Sequence, residues 1–150
     1  MAEYIQSPSP QNVAYGQNLL LIDSIPCPNH YVVHRNGSGI LTLRGATPNC
    51  FARYQVTFNG NIAIPTDGTV GAIAIGLAED GEALPYSRAI VTPAAVEQYF
   101  NVTSTAIITV LRGCCTTVSV QNIDPGVGAM LGNEQTISVA DGNLTVSRIA

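Results

Sequence analysis

The sequence predicts an all-β protein, a jelly-roll β-sandwich of about ten antiparallel strands. Two observations carry the prediction. Runs rich in Val, Ile and Thr recur along the 150 residues, and β-branched side chains suit a pleated, half-buried surface. Clusters of Gly, Pro, Asn and Asp punctuate these runs every ten to fifteen residues or so, and almost nothing between them reads as helix.

The central stretch is Tyr99 to Ile123. Ala106, Ile107, Ile108, Val110 and Leu111 follow or alternate with Thr105 and Thr109, and Thr117 to Val120 alternate strictly. With Arg112-Gly113 between them, the two runs read as an antiparallel hairpin. Before it, residues 1–17 read as an extended polar arm, and residues 18–150 as one jelly-roll domain. Asn18–Ile25 is a first strand, ended by Pro26-Cys27-Pro28. His30–Arg35 and Ile40–Arg44 form a hairpin around Asn36-Gly37-Ser38-Gly39. Phe51–Ile64 alternates: Phe51, Arg53, Gln55, Thr57 and Asn59 share one face, and Ala52, Tyr54, Val56 and Phe58 share the core face. Gly60 marks a bulge or bend.

Val70–Leu77 follows, with Val70, Ala72, Ala74 and Gly76 on one face; small residues there suit a tightly packed axis or subunit contact. Glu79-Asp80-Gly81-Glu82 is an acidic hairpin turn. Ser87–Thr92 is a short strand. Pro93–Tyr99 has the composition of one helical turn, with Pro93 at its first position. Asp124–Asn133 is a glycine-rich loop. Gln135–Val139 and Asn143–Ile149 are the last strands, with Asp141-Gly142 as a tight turn between them.

Composition narrows the function classes. Only 11% of the residues are charged, there is no lysine, and the net charge is −4. Ordinary domains carry about 25% charged residues, and so bland a surface predicts a homo-oligomer or a component of an assembly. Without clustered Arg and Lys there is no footprint for nucleic acid. No apolar run reaches the roughly 18 residues of a membrane span. The start MAEYIQSPSPQ lacks the basic and apolar regions of a secretory leader, which predicts a protein made in a cytoplasm.

Catalytic and metal chemistry is poorly represented. Cys27, Cys50, Cys114 and Cys115 do not have zinc-module spacing and read as small buried hydrophobes; a Cys27–Cys50 disulfide has no support. His30 and His34 sit on one predicted strand face roughly 13 Å apart, too far to share a metal. The acidic turn lacks the spread carboxylates of a calcium loop. Cys27 with His30 has no orienting third group or oxyanion donors around it. No catalytic, cofactor-binding or metal residue is assigned, no cofactor is expected, and the chain is read as not an enzyme.

The texture of YQVTFNGNIAI, VGAIAIGLAEDGEAL, NVTSTAIITVLRGCCTTVSVQN and the terminal NLTVSRIA resembles the trimeric jelly rolls of the tumour necrosis factor and complement globular-head superfamily. Asp80-Gly81 stands where that family has a polar turn, and Arg112-Gly113 stands at its short glycine link. The likeness covers most of residues 18–150 and implies a homotrimer. The aromatic-rich centre usual in that family is thinned out here. A narrower resemblance, in Val33–Gly45, Val91–Val102 and Arg112–Asn122, is to small structural proteins of tailed bacteriophages of gut Firmicutes. It implies a capsid decoration or head-fibre component, or an appendage tip. Such a component would sit on the capsid surface of a virion, with the major capsid protein or another virion component as partner.

Two functions follow. The first is a passive structural trimer, with Tyr54, Val56, Phe58, Tyr99 and Phe100 as residues of the axis or core. Its anchor would lie in residues 2–12, with Tyr4, Ile5, Pro8 and Pro10 as candidates. The alternative is a receptor- or glycan-binding tip or adhesin, with Tyr86 and the Glu79–Glu82 turn exposed at one end.

Overall fold

A computed structural model describes residues 2–6, 9–25, 31–125 and 135–150. Among these residues the chain forms twelve strands: β1 (Ala2–Ile5), β2 (Gln11–Val13), β3 (Asp23–Ile25), β4 (Val32–His34), β5 (Leu41–Arg44), β6 (Phe51–Ala63), β7 (Ile73–Glu79), β8 (Glu82–Ala83), β9 (Ala89–Val91), β10 (Phe100–Leu111), β11 (Cys115–Asn122) and β12 (Ile137–Arg148). One 3-10 turn, Pro85–Ser87, lies between β8 and β9.

The strands make two six-stranded sheets. The first runs β10-β6-β12-β1-β3, with β2 also on β12; the second runs β4-β5-β11-β7-β8, with β9 on β7. Every pair is antiparallel. This is the jelly-roll sandwich that the sequence predicts.

The alternation in Phe51–Ala63 sets the core. Ala52, Tyr54, Val56, Phe58 and Ile62 are buried, and they face Leu41, Leu43, Ile73, Ile75, Leu77, Val118 and Val120 in one apolar cluster. Burying each large side chain contributes on the order of 1.5–3 kcal/mol. The Tyr54 hydroxyl leaves this core to donate to the Arg44 carbonyl at 2.5 Å, which ties the two sheets together.

Several sequence expectations are corrected. The run Tyr99–Ile123 is not a hairpin. β10 pairs with β6 in the first sheet and β11 with β5 and β7 in the second, so Arg112-Gly113 is a corner between sheets. Gly113 takes φ 76° there. Both runs are apolar enough to line the core, and sequence alone does not distinguish pairing across a turn from stacking across a core. Residues 2–5 are not an arm outside the domain but a strand within it. Tyr4 pairs with Leu144 on one side and Ser24 on the other, and Ala2 and Tyr4 are buried in the core. Asn18–Ile25 is strand only from Asp23. Its first part is a link between sheets, with the Leu19 N–H donating to Val120 and that of Ile22 to Ile5. Pro93–Tyr99 is a bend and not a helical turn; Glu97 takes φ 59°, and its N–H is drawn across to the Ile64 carbonyl at 2.8 Å. The small face of β7 is not left for a subunit. A Cβ on Gly76 would lie 2.6 Å from Ile123 Cδ1 and 3.2 Å from Ser87 Oγ, so the chain's own segments cover it.

The last correction matters most. Asp141-Gly142 is not a turn; β12 runs straight through it. Ala140 pairs with Asn61 and Asn143 with Asn59, so Gly60 alone faces the two residues Asp141 and Gly142. That is a β-bulge. It changes which residues face inward, from Ile137 and Val139 before it to Leu144 and Val146 after it, all buried. Asp141 takes φ 54°. A Cβ on Gly142 would lie 2.6 Å from Gln6 Oε1 and 3.2 Å from Phe58 Cε1, so it would push the Gln6 amide out of place.

Gln6 completes the bulge. It is 3% exposed. Its backbone N–H donates to the Gly142 carbonyl at 2.9 Å. Its Oε1 accepts from the Gly142 N–H at 3.0 Å, and its Nε2 donates to the Val139 carbonyl at 2.6 Å. The side chain thus replaces ladder bonds that the bulge removes. Gln6→Ala strands a buried donor and a buried acceptor and is expected to cost about 3 kcal/mol. Urea unfolding should show a lower midpoint with an unchanged slope.

Candidate functional site

The outward face of the first sheet is a long exposed surface. Strict alternation places Asn101, Thr103, Thr105, Ile107, Thr109 and Leu111 of β10 outward. The register sets them beside β6 and β12. Leu111 faces Phe51, Thr109 faces Arg53, Ile107 lies beside Gln55 and Ser147, Thr105 beside Thr57 and Thr145, and Thr103 beside Asn59 and Asn143. One end is apolar, with Phe51, Ile107, Leu111 and Ile149 at 37%, 56%, 63% and 49% exposure. The Arg53 guanidinium lies over the Phe51 ring at 4.9 Å. The middle is a threonine ladder, with the Thr57 and Thr105 hydroxyls 3.0 Å apart. The other end is amide-rich. Asn101 Nδ2 donates to Asn59 Oδ1 at 3.0 Å and to Asn61 Oδ1 at 3.1 Å. β10 is also the edge strand of its sheet, and a long, uncharged edge strand is a surface that proteins normally cover.

The predicted axis residues divide. Tyr54, Val56 and Phe58 are wholly buried in the chain's own core and leave no side-chain surface for a neighbour. Tyr99 and Phe100 are 37% and 38% exposed, and the Tyr99 hydroxyl lies 2.8 Å from Ser138 Oγ. The candidate anchor residues differ in where they lie. Tyr4 is a core residue, Ile5 is half-buried and paired on both sides, and Pro10 is exposed; Pro8 lies outside the described residues. The outward residues Ile107 and Leu111 carried a signal that the sequence reading did not use. β10 has apolar residues on both of its faces, which a half-buried strand does not need.

Elsewhere, Cys50, Cys114 and Cys115 are exposed free thiols and not buried hydrophobes. Cys50 lies in the loop before β6, Cys114 at the corner after β10 and Cys115 at the first position of β11. Cys27 and His30 lie outside the described residues. His34 Nε2 lies 2.9 Å from the Ser38 carbonyl, and its ring meets Tyr4 edge-on at 4.8 Å. Among the described residues no group of three or more His, Cys, Asp or Glu is placed to hold a metal ion, and no helix is long and apolar enough to cross a membrane.

The acidic turn is a tight hairpin joining β7 to β8. Asp80 and Gly81 have φ 52° and 84°, the left-handed pair that suits a two-residue hairpin loop. Asp80 Oδ1 accepts from the Thr117 N–H at 2.9 Å and its hydroxyl at 3.2 Å. Burial raises the Glu79 pKa, and the Asp80 carboxylate adds to it. Tyr86, just beyond, is 69% exposed.

No protein-family model matches the chain, and no curated protein matches it. Solved structures do. The chain is similar to the globular domain of the zebrafish complement 1qA protein, at 13% identity and a TM-score of 0.64, covering 99% of this chain and 97% of that one. It is also similar to the EclA C-terminal domain, described as a sugar-binding protein, at 17% identity and a TM-score of 0.40, covering 94% of this chain and 79% of that one. The first match defines the class: the chain has the complement-head, tumour necrosis factor-like jelly-roll fold. That likeness shows the fold alone and does not support a bacteriophage origin.

The raised pKa of Glu79 has a pH consequence. A carboxyl whose folded pKa exceeds its unfolded value favours the folded state at low pH, and that contribution is lost as pH rises through the folded pKa. Glu79→Gln should therefore have a higher Tm than the parent at neutral pH. The gap should close as pH falls below about 4, where the unfolded carboxyl is itself protonated.

Proposed function

We propose that this chain is a non-enzymatic, homotrimeric structural module whose outward β10-β6-β12 face closes the trimer. The observation that carries the reading is the make-up of that face. It has an exposed apolar end of Phe51, Ile107, Leu111 and Ile149, with Arg53 the one charged side chain among the outward residues from Thr103 to Leu111 and their β6 and β12 neighbours. Burying it in a closed cyclic assembly would cover both the patch and the β10 edge. The assembly we propose is a virion, with the trimer a decoration or head-fibre component on the major capsid protein. What supports that is the sequence resemblance in Val33–Gly45, Val91–Val102 and Arg112–Asn122. Three weak contacts on one trimer act together, so modest docking surfaces suffice.

A second reading is a receptor- or glycan-binding tip of the same fold. The exposed Tyr86 beside the ordered Glu79–Glu82 turn favours it.

Light scattering tests the trimer. The parent should have three times the mass of one chain. Ile107→Arg should reduce that to one chain with unchanged circular dichroism, because the substitution touches no core residue. A monomeric parent would sink the trimer reading.

A further inference from the structure

The chain has six arginines and no lysine, and the fold gathers three of them, Arg44, Arg112 and Arg148, around one loop. That loop, residues 45–50, carries the chain from β5 of the second sheet to β6 of the first. The corner Arg112-Gly113-Cys114 crosses beside it in the other direction. The two crossings are bonded together. The Gly45 N–H donates to the Cys114 carbonyl at 2.9 Å, the Gly113 N–H to the Gly45 carbonyl at 3.1 Å, and the Arg112 N–H to the Cys50 carbonyl at 3.0 Å. They are also close-packed, because a Cβ on Gly45 would lie 2.0 Å from the Leu111 carbonyl oxygen.

The three side chains meet this loop at different points. Arg44 stands at its start, is exposed, and has no side-chain partner among the described residues. Arg148 is half-buried; its Nη1 donates to the Ala46 carbonyl at 2.8 Å and its Nε to the Ala150 main-chain oxygen at 3.3 Å. Arg112 is exposed, and its Nη1 donates to the Pro48 carbonyl at 3.5 Å. No acidic side chain among the described residues pairs with any of the three. The acidic Glu79–Glu82 turn stands beyond β11, where Asp80 is tied to Thr117. A guanidinium has five N–H donors, so most of those around the loop remain unused. Like charges gathered without counter-charges attract anions from solution.

We infer that this end of the sandwich binds an acidic polysaccharide, through carboxylates or sulfates on successive sugar units. Guanidinium groups pair with such oxyanions by charge-assisted, often bidentate hydrogen bonds. Because the arginines are spread along the loop, a chain of anions engages them together where one small ion does not. The rings of Tyr31 and Phe51 beside the loop each carry a guanidinium already, that of Arg148 at 4.2 Å and that of Arg53 at 4.9 Å. Neither ring is left as a stacking platform for bases or as an aromatic anchor for a protein partner. The exposed amide of Asn49 lies in the same loop and suits sugar hydroxyls, which both donate and accept.

This inference rests on the recognition reading, whose ligand it names, and is independent of the trimer. The test uses the full chain labelled with nitrogen-15, titrated with an oligogalacturonate, which carries carboxylates, and with a heparin-derived oligosaccharide, which carries sulfates. Neutral dextran, duplex DNA and polyglutamate are titrated beside them. At least one acidic saccharide should shift the Gly45 and Gly113 amide resonances and bind more tightly than duplex DNA or polyglutamate; the stronger of the two names the anion. Neutral dextran should leave both amides still, and added salt should weaken the binding. Arg44→Gln and Arg112→Gln should each weaken it about tenfold, the loss of one charge-assisted hydrogen bond. Both side chains are exposed, and the parent's amide shifts give the answer even if a variant does not fold. A saccharide that moves Tyr86 and leaves Gly45 and Gly113 still would overturn this site and preserve the recognition reading. Still amides with both acidic saccharides, tighter binding of duplex DNA or polyglutamate, equal binding of dextran, or full affinity in both variants would overturn the inference.

Discussion

The first sheet depends on one extra residue. β12 is its central strand, and its two halves present opposite parities to the core: Ile137 and Val139 on one side of the bulge, Leu144 and Val146 on the other. A regular strand would turn one of these pairs outward. The bulge at Asp141-Gly142 keeps all four inside, and Gly60 on β6 is where the partner strand meets it. A Cβ on Gly60 would lie 3.1 Å from Gly142 Cα, so the two glycines allow the backbones to come together. The polar groups that the bulge unpairs are taken up by Gln6. This is why residues 2–6 belong to the domain: they supply an edge for β12 and the side chain that completes it.

With β12 aligned on β6, the remaining surface follows. β6 and β10 share twelve register pairs without a shift, so the outward residues form straight rows, from the Leu111–Phe51 pair to the Asn101–Asn61 pair. The rows grade from apolar through threonine to amide. A face of this kind has little charge to desolvate when covered, and it keeps hydrogen-bonding groups at one end to set register. The same regularity makes β10 a long open edge, which adds to the reason for covering it.

The second sheet behaves differently. Its strands are short, and the chain's own turns pack against β7 and β11. Gly76 allows Ser87 and Arg88 to lie close against β7, and Asp80 binds its turn to Thr117. Small residues that could serve a subunit contact serve an internal one. The two sheets thus differ in their outward surfaces: long straight rows on the first, and short strands with ordered turns on the second.

The sequence by itself determined the fold class, the β4–β5 hairpin, the Asp80-Gly81 turn and the two faces of β6. All of these are local: alternation has a period of two, and left-handed turn positions demand Gly, Asn or Asp. It did not decide which strands pair. The Arg112-Gly113 link looks the same whether its flanking strands hydrogen-bond side by side or stack across a core, and Asp141-Gly142 looks the same as a turn or a bulge. The polar opening MAEYIQ looks like an arm because its pattern is short, yet Tyr4 and Gln6 find their partners more than 130 residues away. The candidate sites were legible only in part for the same reason. Ile107 and Leu111 were visible as apolar residues, but whether their face was core or surface was settled only when the opposite face of β10 packed on the core. Arg44, Arg112 and Arg148 share no local pattern, and only the tertiary structure brings them around one loop.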